Sequence, residues 1–532
     1  MKPTHPFKKR TWTTLATTVV AALLLSACGG EAATDAEPGA DVDEDAIVED
    51  GTLTFGLSTE PSNLLTGQDA GVVGYTMFTL LHRGLMEFDE TGEVVEGLAE
   101  SYEQPEPTNY VFTLRDGLEF SDGTPLTAEV VKANLEFQSD PDNSTFVYPG
   151  LQSIESIETP DDRTIDITLE APNAAFLQYL AVPTAAIVPE DVLDPTENAW
   201  IGAGPYVIDQ HNHGTNMVLT PNESFYAADE VGLGTLDLVF YPDGTARTNA
   251  LISGEVDLID YVPWEDFERI ESDSELILDP VSAPFMYVHF NVEDEDSPMA
   301  DPLVREAVGY AINRDNIVDA VFSGNGEPLY GMPLDENDPN FDEDWANMYD
   351  YDPDHARELL DEAGYDDSQT LTLLTSSEYI FHQDTALSVQ ADLEAVGVNV
   401  ELSNPDWATR VSEGIAGNYD LAVAGNSAIV PDTSWISSYV GGPVNYSRSY
   451  GYDYPELIAA VEAGVEAEEE EERRDHYAEA REMMIEDTPI VMLSTRDQAY
   501  AYNHRVGNFE NYPGFLTFYS GYGLADAVEV QQ

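Results

Sequence analysis

The chain has 532 residues, 42% of them hydrophobic, and sets 20 Lys and Arg against 102 Asp and Glu, for a net charge of −82. A polyanion of this size repels nucleic-acid phosphate, which excludes a nucleic-acid role. The length provides for two or more globular lobes, and no stretch beyond the N-terminal region is long and apolar enough to span a bilayer.

Residues 1–27 carry Lys2, Lys8, Lys9 and Arg10 and no acid, then the apolar run Val19–Leu25, then Leu25-Ser26-Ala27-Cys28. A basic start, a short apolar core and small residues before a cut mark a secretory signal peptide. Its core is too short and too Thr-rich for a spanning helix of about 20 apolar residues. Cys28 is the single cysteine, so no intramolecular disulfide supports the fold. Leu-Ser-Ala-Cys resembles the bacterial lipobox, which makes Cys28 the expected lipidation site and places the body at the outer face of the cell membrane. Loss of the signal removes four cations and no anion, taking the charge to −86, and Lys132 is then the only lysine. Self-repulsion of this order destabilises a compact state in dilute buffer. At 1 M salt the screening length falls to about 3 Å, so a saline, halophilic habitat is expected. Residues 28–50, small and acidic after the cysteine, read as a flexible tether.

The folded body opens at Gly51–Ser58, whose alternation of apolar and polar residues predicts a strand. An apolar helix follows from Tyr75 to Leu85, closed by Gly84. Residues 110–131 predict two short strands punctuated by Arg115-Asp116-Gly117 and Ser121-Asp122-Gly123, then a helix with Thr127 as N-cap and Glu129 in its first turn. Gly202-Ala-Gly-Pro-Tyr206 is a breaker cluster and reads as a crossover. In the second half, Asp301 caps a helix begun by Pro302, with Leu303, Val304, Ala307, Val308, Ala311 and Ile312 as its apolar face. Asp352-Pro353 starts another, stopped by Gly364. A strand at 370–375, a helix near 383–396, a strand at 398–402, a helix near 405–416 and a strand at 419–424 complete an α/β pattern with parallel pairing. The acidic run Glu466–Glu472 reads as a solvated helix face, with Glu469–Arg473 and Glu470–Arg474 as i,i+4 pairs.

Catalytic signatures are weak. The chain lacks a Gly-x-Ser-x-Gly elbow, a His-Glu-x-x-His pair and a phosphate-binding glycine loop with its lysine. His211-Asn212-His213 offers two metal-type ligands. With no third ligand nearby in sequence it reads as a surface turn, and no metal or other cofactor is expected. Acidic pairs are too common for any to be singled out as a catalytic dyad. Aromatics are abundant instead, with 28 Tyr, and Trp435, Tyr439, Tyr446, Tyr450, Tyr452 and Tyr454 gather in 435–454, as suits closure around a polar ligand.

Several segments together resemble one family, the extracellular solute-binding lipoproteins of ABC importers for dipeptides, oligopeptides and nickel. They are Leu85–Phe88, Gly97-Leu-Ala-Glu-Ser-Tyr102, Tyr110–Val130, Gly202–Tyr206, Ser253-Gly-Glu-Val-Asp257 and Val304–Arg314. The resemblance implies an α/β fold of two lobes that close by a hinge, with a third, inserted α+β domain. It puts lobe I at 51–84, 201–285 and 497–532, the inserted domain at 85–200 and lobe II at 286–496. It further implies a non-enzymatic, monomeric receptor that takes a small-molecule or peptide ligand outside the cell to ABC permease subunits. Peptide-binding members hold the ligand's amino group with the Asp of a Gly-Trp-x-x-Asp segment. Here Asn426 stands for the Trp and Ile429 for the Asp, so either Asp432 or another acid substitutes, or the ligand is not a short free peptide. The carboxylate-binding Arg of dipeptide-binding members has no counterpart in Thr375–Tyr379. Arg448 is the most attractive residue to face an anion, although a surface ion pair is its commoner fate. The ligand-binding candidates are therefore Tyr287, Tyr379, Asn426, Ser427, Asp432, Trp435, Tyr446 and Arg448, with peptide favoured as ligand on family grounds. The alternatives are a sensor of the same fold for a sugar or metal chelate, and a secreted acidic-dyad hydrolase.

Overall fold

The structure is a computed structural model that describes residues 46–48, 50–61, 72–143, 145–190, 193, 200–331, 348–377, 379–427, 436–440, 446–467 and 469–531. Cys28, Asp432 and Trp435 lie outside the described residues.

A ten-stranded mixed sheet forms the backbone of the molecule. Its order is Asn399–Ser403, Thr370–Leu374, Leu421–Asn426, Leu276–Phe290, Ile490–Asn503, Leu258–Ile259, Gly51–Leu57, Leu233–Phe240, Asn216–Pro221 and Tyr206–Asn212. Two long strands hold the middle. Leu276–Phe290 and Ile490–Asn503 pair antiparallel from Leu276↔Asn503 to His289↔Ile490, with register breaks at Ser282/Phe285 and Met286/Tyr287. On one side, Gly51–Leu57 runs parallel to Leu233–Phe240 and to Leu258–Ile259. On the other, Thr370–Leu374 runs parallel to Asn399–Ser403 and Leu421–Asn426. These three strands meet the expected α/β pattern, whereas Leu276–Phe290 pairs antiparallel with Leu421–Asn426 and makes the sheet mixed.

Each side has its own core. Leu53, Phe55 and Leu57 alternate inward from the first strand and pack with Phe78, Leu236, Leu238, Tyr500 and Tyr502. Val288, Phe290, Val304, Val308, Leu359, Leu371, Leu393 and Val423 form the other. A separate antiparallel sheet, Ala99–Glu106, Asn109–Leu114, Thr164–Leu169 and Ile154–Asp161 in that order, carries a third core around Phe112, Leu135, Ile165, Ile167 and Phe176.

Local signals account for the helices of the second half. Asp301 accepts from Leu303 N and caps Pro302–Ala311, whose Val304, Ala307, Val308 and Ala311 are buried. Asp352 caps Pro353–Ala363, and Gly364 ends it at φ 68°, a conformation glycine adopts without Cβ strain. In Glu470–Asp487, Arg474 lies 3.8 Å from Glu470, while Arg473 Nη2 donates to Ala467 O.

Three expectations change. The helix predicted to reach Leu85 is Val72–Leu81. Gly84 serves close approach rather than termination, since a Cβ there would stand 2.9 Å from Leu180 O. The second strand predicted between the two Asp-Gly turns is a lone bridge, Glu119↔Pro125. Thr127 does sit at the N-cap of Ala128–Gln138, but its hydroxyl makes no capping bond.

Candidate ligand-binding site

In open sheets with parallel strands, ligands bind beyond the strands' carboxyl ends. Here three such ends lie side by side. Thr370–Leu374 leads into Thr375-Ser376-Ser377, Asn399–Ser403 into Asn404-Pro405-Asp406, and Leu421–Asn426 into Ser427. The connections are tied together, Thr375 N donating to Ser403 O and Ser377 N to Pro405 O, both at 2.9 Å. Two helices start at this edge, Ile380–Ala395 and Trp407–Ala416, the second capped by Asp406 on Thr409 N. Their N-termini lend positive potential.

An aromatic wall stands on these ends. Tyr379 meets Trp407 edge-on at 5.1 Å, and Trp407 meets Tyr446 at 5.6 Å. Tyr287 meets Tyr439 at 5.3 Å. Trp264, from the other side of the sheet, meets Phe381 at 5.6 Å.

Two arginines sit inside this wall. Arg410 is fully buried, its guanidinium 5.5 Å from both the Trp407 and Tyr446 rings. Nη1 donates to Tyr446 O (2.8 Å) and Nη2 to Val423 O (3.0 Å). Arg496 is 2% exposed. It lies over Phe381 at 5.0 Å, Tyr261 at 5.7 Å and Trp264 at 5.9 Å, and donates to Gln498 Oε1 (2.9 Å). Among the described residues neither forms an ion pair with a carboxylate. Burial lowers the Arg410 pKa, opposed by the Tyr287, Tyr446 and Tyr419 phenols, and an arginine so placed stays charged.

His382 confirms the local sign of the potential. Burial first, and then the charges of Arg410 and Arg496, push its pKa down to about 3, so the ring is neutral. His289 is held neutral by the same two causes, burial and Arg410, and its Nδ1 lies 3.1 Å from the Tyr419 hydroxyl. Around these groups Thr375 Oγ1, Ser427 Oγ, Ser494 Oγ, Gln498 Nε2, His382 Nδ1, Arg410 Nε and Arg496 Nε are buried with no hydrogen-bond partner among the described residues. Buried polar atoms are usually hydrogen-bonded, and these seven make the strand ends the candidate place for a polar solute.

The sequence candidates fall unevenly on this site. Tyr287 is fully buried and donates to Ser447 O (2.7 Å), and burial raises its pKa. Asn426 hydrogen-bonds the Tyr287 and Tyr439 phenols and accepts from Ser427 N (2.9 Å). Tyr446 and Tyr379 belong to the aromatic wall. Arg448 differs from expectation. It is 6% exposed rather than at the surface, its Nη2 donates to Tyr452 O, and Asp453 adds negative potential. Arg410, Arg496, His382, Trp407 and Trp264 escaped the sequence reading. The one local signal was Trp407 with Arg410, an i,i+3 pair that shares a helix face.

A family model described as bacterial extracellular solute-binding proteins, family 5 (middle), matches residues 93–448. The chain belongs to this family. A solved family-type structure, the binding protein AgaA of Agrobacterium ("A.tumefacien R10") in complex with agropinic acid, is 35% identical with a TM-score of 0.85, covering 91% of this chain and 99% of that one. The glutathione-binding protein GsiB of Pectobacterium atrosepticum is 29% identical over 498 residues, 89% of this chain and 93% of its own length. The DppA protein of Helicobacter pylori, solved with the peptide STSA, shares the fold at 21% identity and a TM-score of 0.79, covering 92% of this chain and 99% of that one. The chain therefore has the two-lobed α/β fold of family 5 binding proteins. Among the described residues no helix is long and apolar enough to cross a membrane, as fits a family of extracellular receptors.

Proposed function

We propose that this family 5 receptor captures a small carboxylate-bearing solute outside the cell and hands it to the permease of an ABC importer. The observation that carries the reading is the pair of buried arginines, Arg410 and Arg496, which among the described residues have no carboxylate partner and stand about a neutral histidine near the ends of three parallel strands. A buried cation lacking an anion costs several kcal/mol, and an anionic ligand removes that cost. The relatives' ligands agree in chemistry: glutathione, peptides and agropinic acid each bear a carboxylate. In this reading the lobes are 51–84 with 201–285 and 497–532, and 286–496, and the inserted domain is 85–200. Ser427, Asn426, Tyr287, Tyr379 and Tyr446 line the site with Asp432 and Trp435, and the protein is a non-catalytic monomer.

Mass spectrometry of solute released from protein purified in molar salt tests this. The expected finding is one defined carboxylic acid that also raises the melting temperature when added back, since a ligand that binds only the native state stabilises it by mass action. Recovery of a neutral sugar, or turnover of the added solute, overturns it.

Cys28 anchors the chain by its lipid, with residues 29–50 as tether. The lipid matters because two acyl chains hold stably where one does not. Cys28→Ser is expected to release the protein into the medium, and an unchanged membrane fraction refutes the anchor. The net charge of −82 suits a saline medium, with unfolding expected in low salt and equal stability in both conditions counting against it.

A further inference from the structure

A second cluster lies at the opposite edge of the ten-stranded sheet from Asn399–Ser403. There the hairpin of Tyr206–Asn212 and Asn216–Pro221 closes through His213, Gly214 and Thr215, with Thr215 N donating to Asn212 O (2.9 Å) and Gly214 at φ 70°. His211, in the last residues of the strand, and His213, the first residue of the turn, have ring centroids 4.1 Å apart. Glu60, 151 residues before His211 in the chain and just past the strand Gly51–Leu57, completes the group. Its Oε1 stands 2.9 Å from His211 Nε2 and 3.0 Å from His213 Nδ1, and its Oε2 accepts from Gly214 N (2.9 Å). The three ligand atoms lie within 4.8 Å of one another.

We propose that Glu60, His211 and His213 bind a divalent transition cation of the zinc type, pinning the sheet's edge hairpin to the end of a central strand. In a tetrahedral zinc centre with bonds of about 2.0–2.1 Å, donor atoms stand roughly 3.3 Å apart, so the observed spacings need open by only a few tenths of an ångström. Two imidazoles and a carboxylate leave a fourth position for water, a usual zinc set. His211 is braced edge-on by Trp200 at 6.2 Å and Phe240 at 6.4 Å. Its side chain is 20% exposed while that of His213 is 83% exposed, so the ligand set is preformed on one side and open to solvent on the other. Imidazole also supplies selectivity. The acidic surface attracts any cation, but magnesium and calcium prefer oxygen ligands, and only a borderline metal gains from two ring nitrogens.

The test is calorimetric titration of Zn²⁺ into the metal-free Cys28→Ser chain, in molar NaCl with excess Mg²⁺ to occupy surface carboxylates. One equivalent is expected to bind and to raise the melting temperature, and Co²⁺ is expected to give the visible absorption of a low-coordinate site. His211→Ala and His213→Ala should each weaken binding by at least about tenfold, the lower bound seen when only an outer-shell partner is lost. His504→Ala should leave it unchanged. Absence of zinc binding above the magnesium background, or binding that survives both histidine substitutions, overturns the proposal. The exposed His213 keeps the test decisive should the more buried His211→Ala fail to fold.

Discussion

Two arginine clusters of this molecule look alike in composition and differ in charge balance. Near the start of the folded body, Arg505 reaches Asp257 Oδ1 at 2.8 Å and Glu529 Oε1 at 2.5 Å. The remaining carboxylate oxygens accept Thr54 N (2.9 Å) and Thr52 N (2.7 Å), and Asn503 Nδ2 adds a bond to Asp257 (3.1 Å). Every charge there is answered from within the chain, and the result ties Gly51–Leu57 to the C-terminal segment. At the strand ends, Arg410 and Arg496 are more deeply buried yet meet carbonyls, phenols, an amide and ring faces. In a chain with five acids for each base, a buried arginine with no carboxylate partner among the described residues is informative. The paired cluster holds the fold, and the unpaired one is where the proposed ligand would bind. Arg314 refines the contrast: among the described residues it too has no ion pair, but it donates to the carbonyls of Leu329, Met492, Gly309 and Ile312, away from the strand ends.

The largest effect that could break the comparison is on ligand affinity. Arg496→Gln is expected to weaken solute binding by about 2–5 kcal/mol, the usual loss when one partner of a buried charge pair is removed, while chemical denaturation of the ligand-free protein moves by less than about 1 kcal/mol. A large stability loss with intact binding would make Arg496 structural. Calorimetry of Arg496→Gln and of the unaltered protein with the recovered solute separates these.

Asp279 is the mirror case, a buried carboxylate with no ion pair among the described residues. Burial, with Glu510 adding repulsion, raises its pKa to about 6, against opposing bonds from Asn511 N and Tyr502. The folded pKa exceeds the unfolded one, so this group's stabilising contribution is present below about pH 4 and is lost as pH rises through 6. The difference is worth up to about 3 kcal/mol. Asp279→Asn should flatten that part of the stability profile, measured by denaturation between pH 4 and 7 in molar salt. An unchanged slope would show that Asp279 is ionised throughout.

The smallest effect concerns the saturated cluster. Arg505→Gln strands the buried Asp257 and is expected to cost about 2–3 kcal/mol, below the 3–5 typical of a wholly buried pair because the arginine is partly exposed. Solute affinity should be unchanged. A shift in affinity would remove the distinction between the two clusters.

Much of the second half was legible in sequence because its signals are local. A capping Asp before Pro302, another before Pro353 and a glycine at 364 act within one helical turn, and the structure places those helices where the residues put them. Tyr287, Asn426, Tyr379 and Tyr446, candidates already in the sequence, lie about the same strand ends in the fold. Arg410 and Arg496 were not candidates, because each is one of several arginines in the sequence, and what distinguishes them is that no carboxylate among the described residues pairs with them. Absence of a partner is a property of three-dimensional packing.

Composition and pattern by themselves determined the class of the protein: a polyanionic chain, strand–helix alternation and the ordered family segments. Each depends on residues within a few positions of one another, where chain connectivity sets the distance. Tertiary structure alone decided which arginines find a carboxylate among the described residues, that Arg448 is buried, and that Glu60 meets His211 and His213. Those distances are set by sheet order and strand register, which bring together residues far apart in the chain.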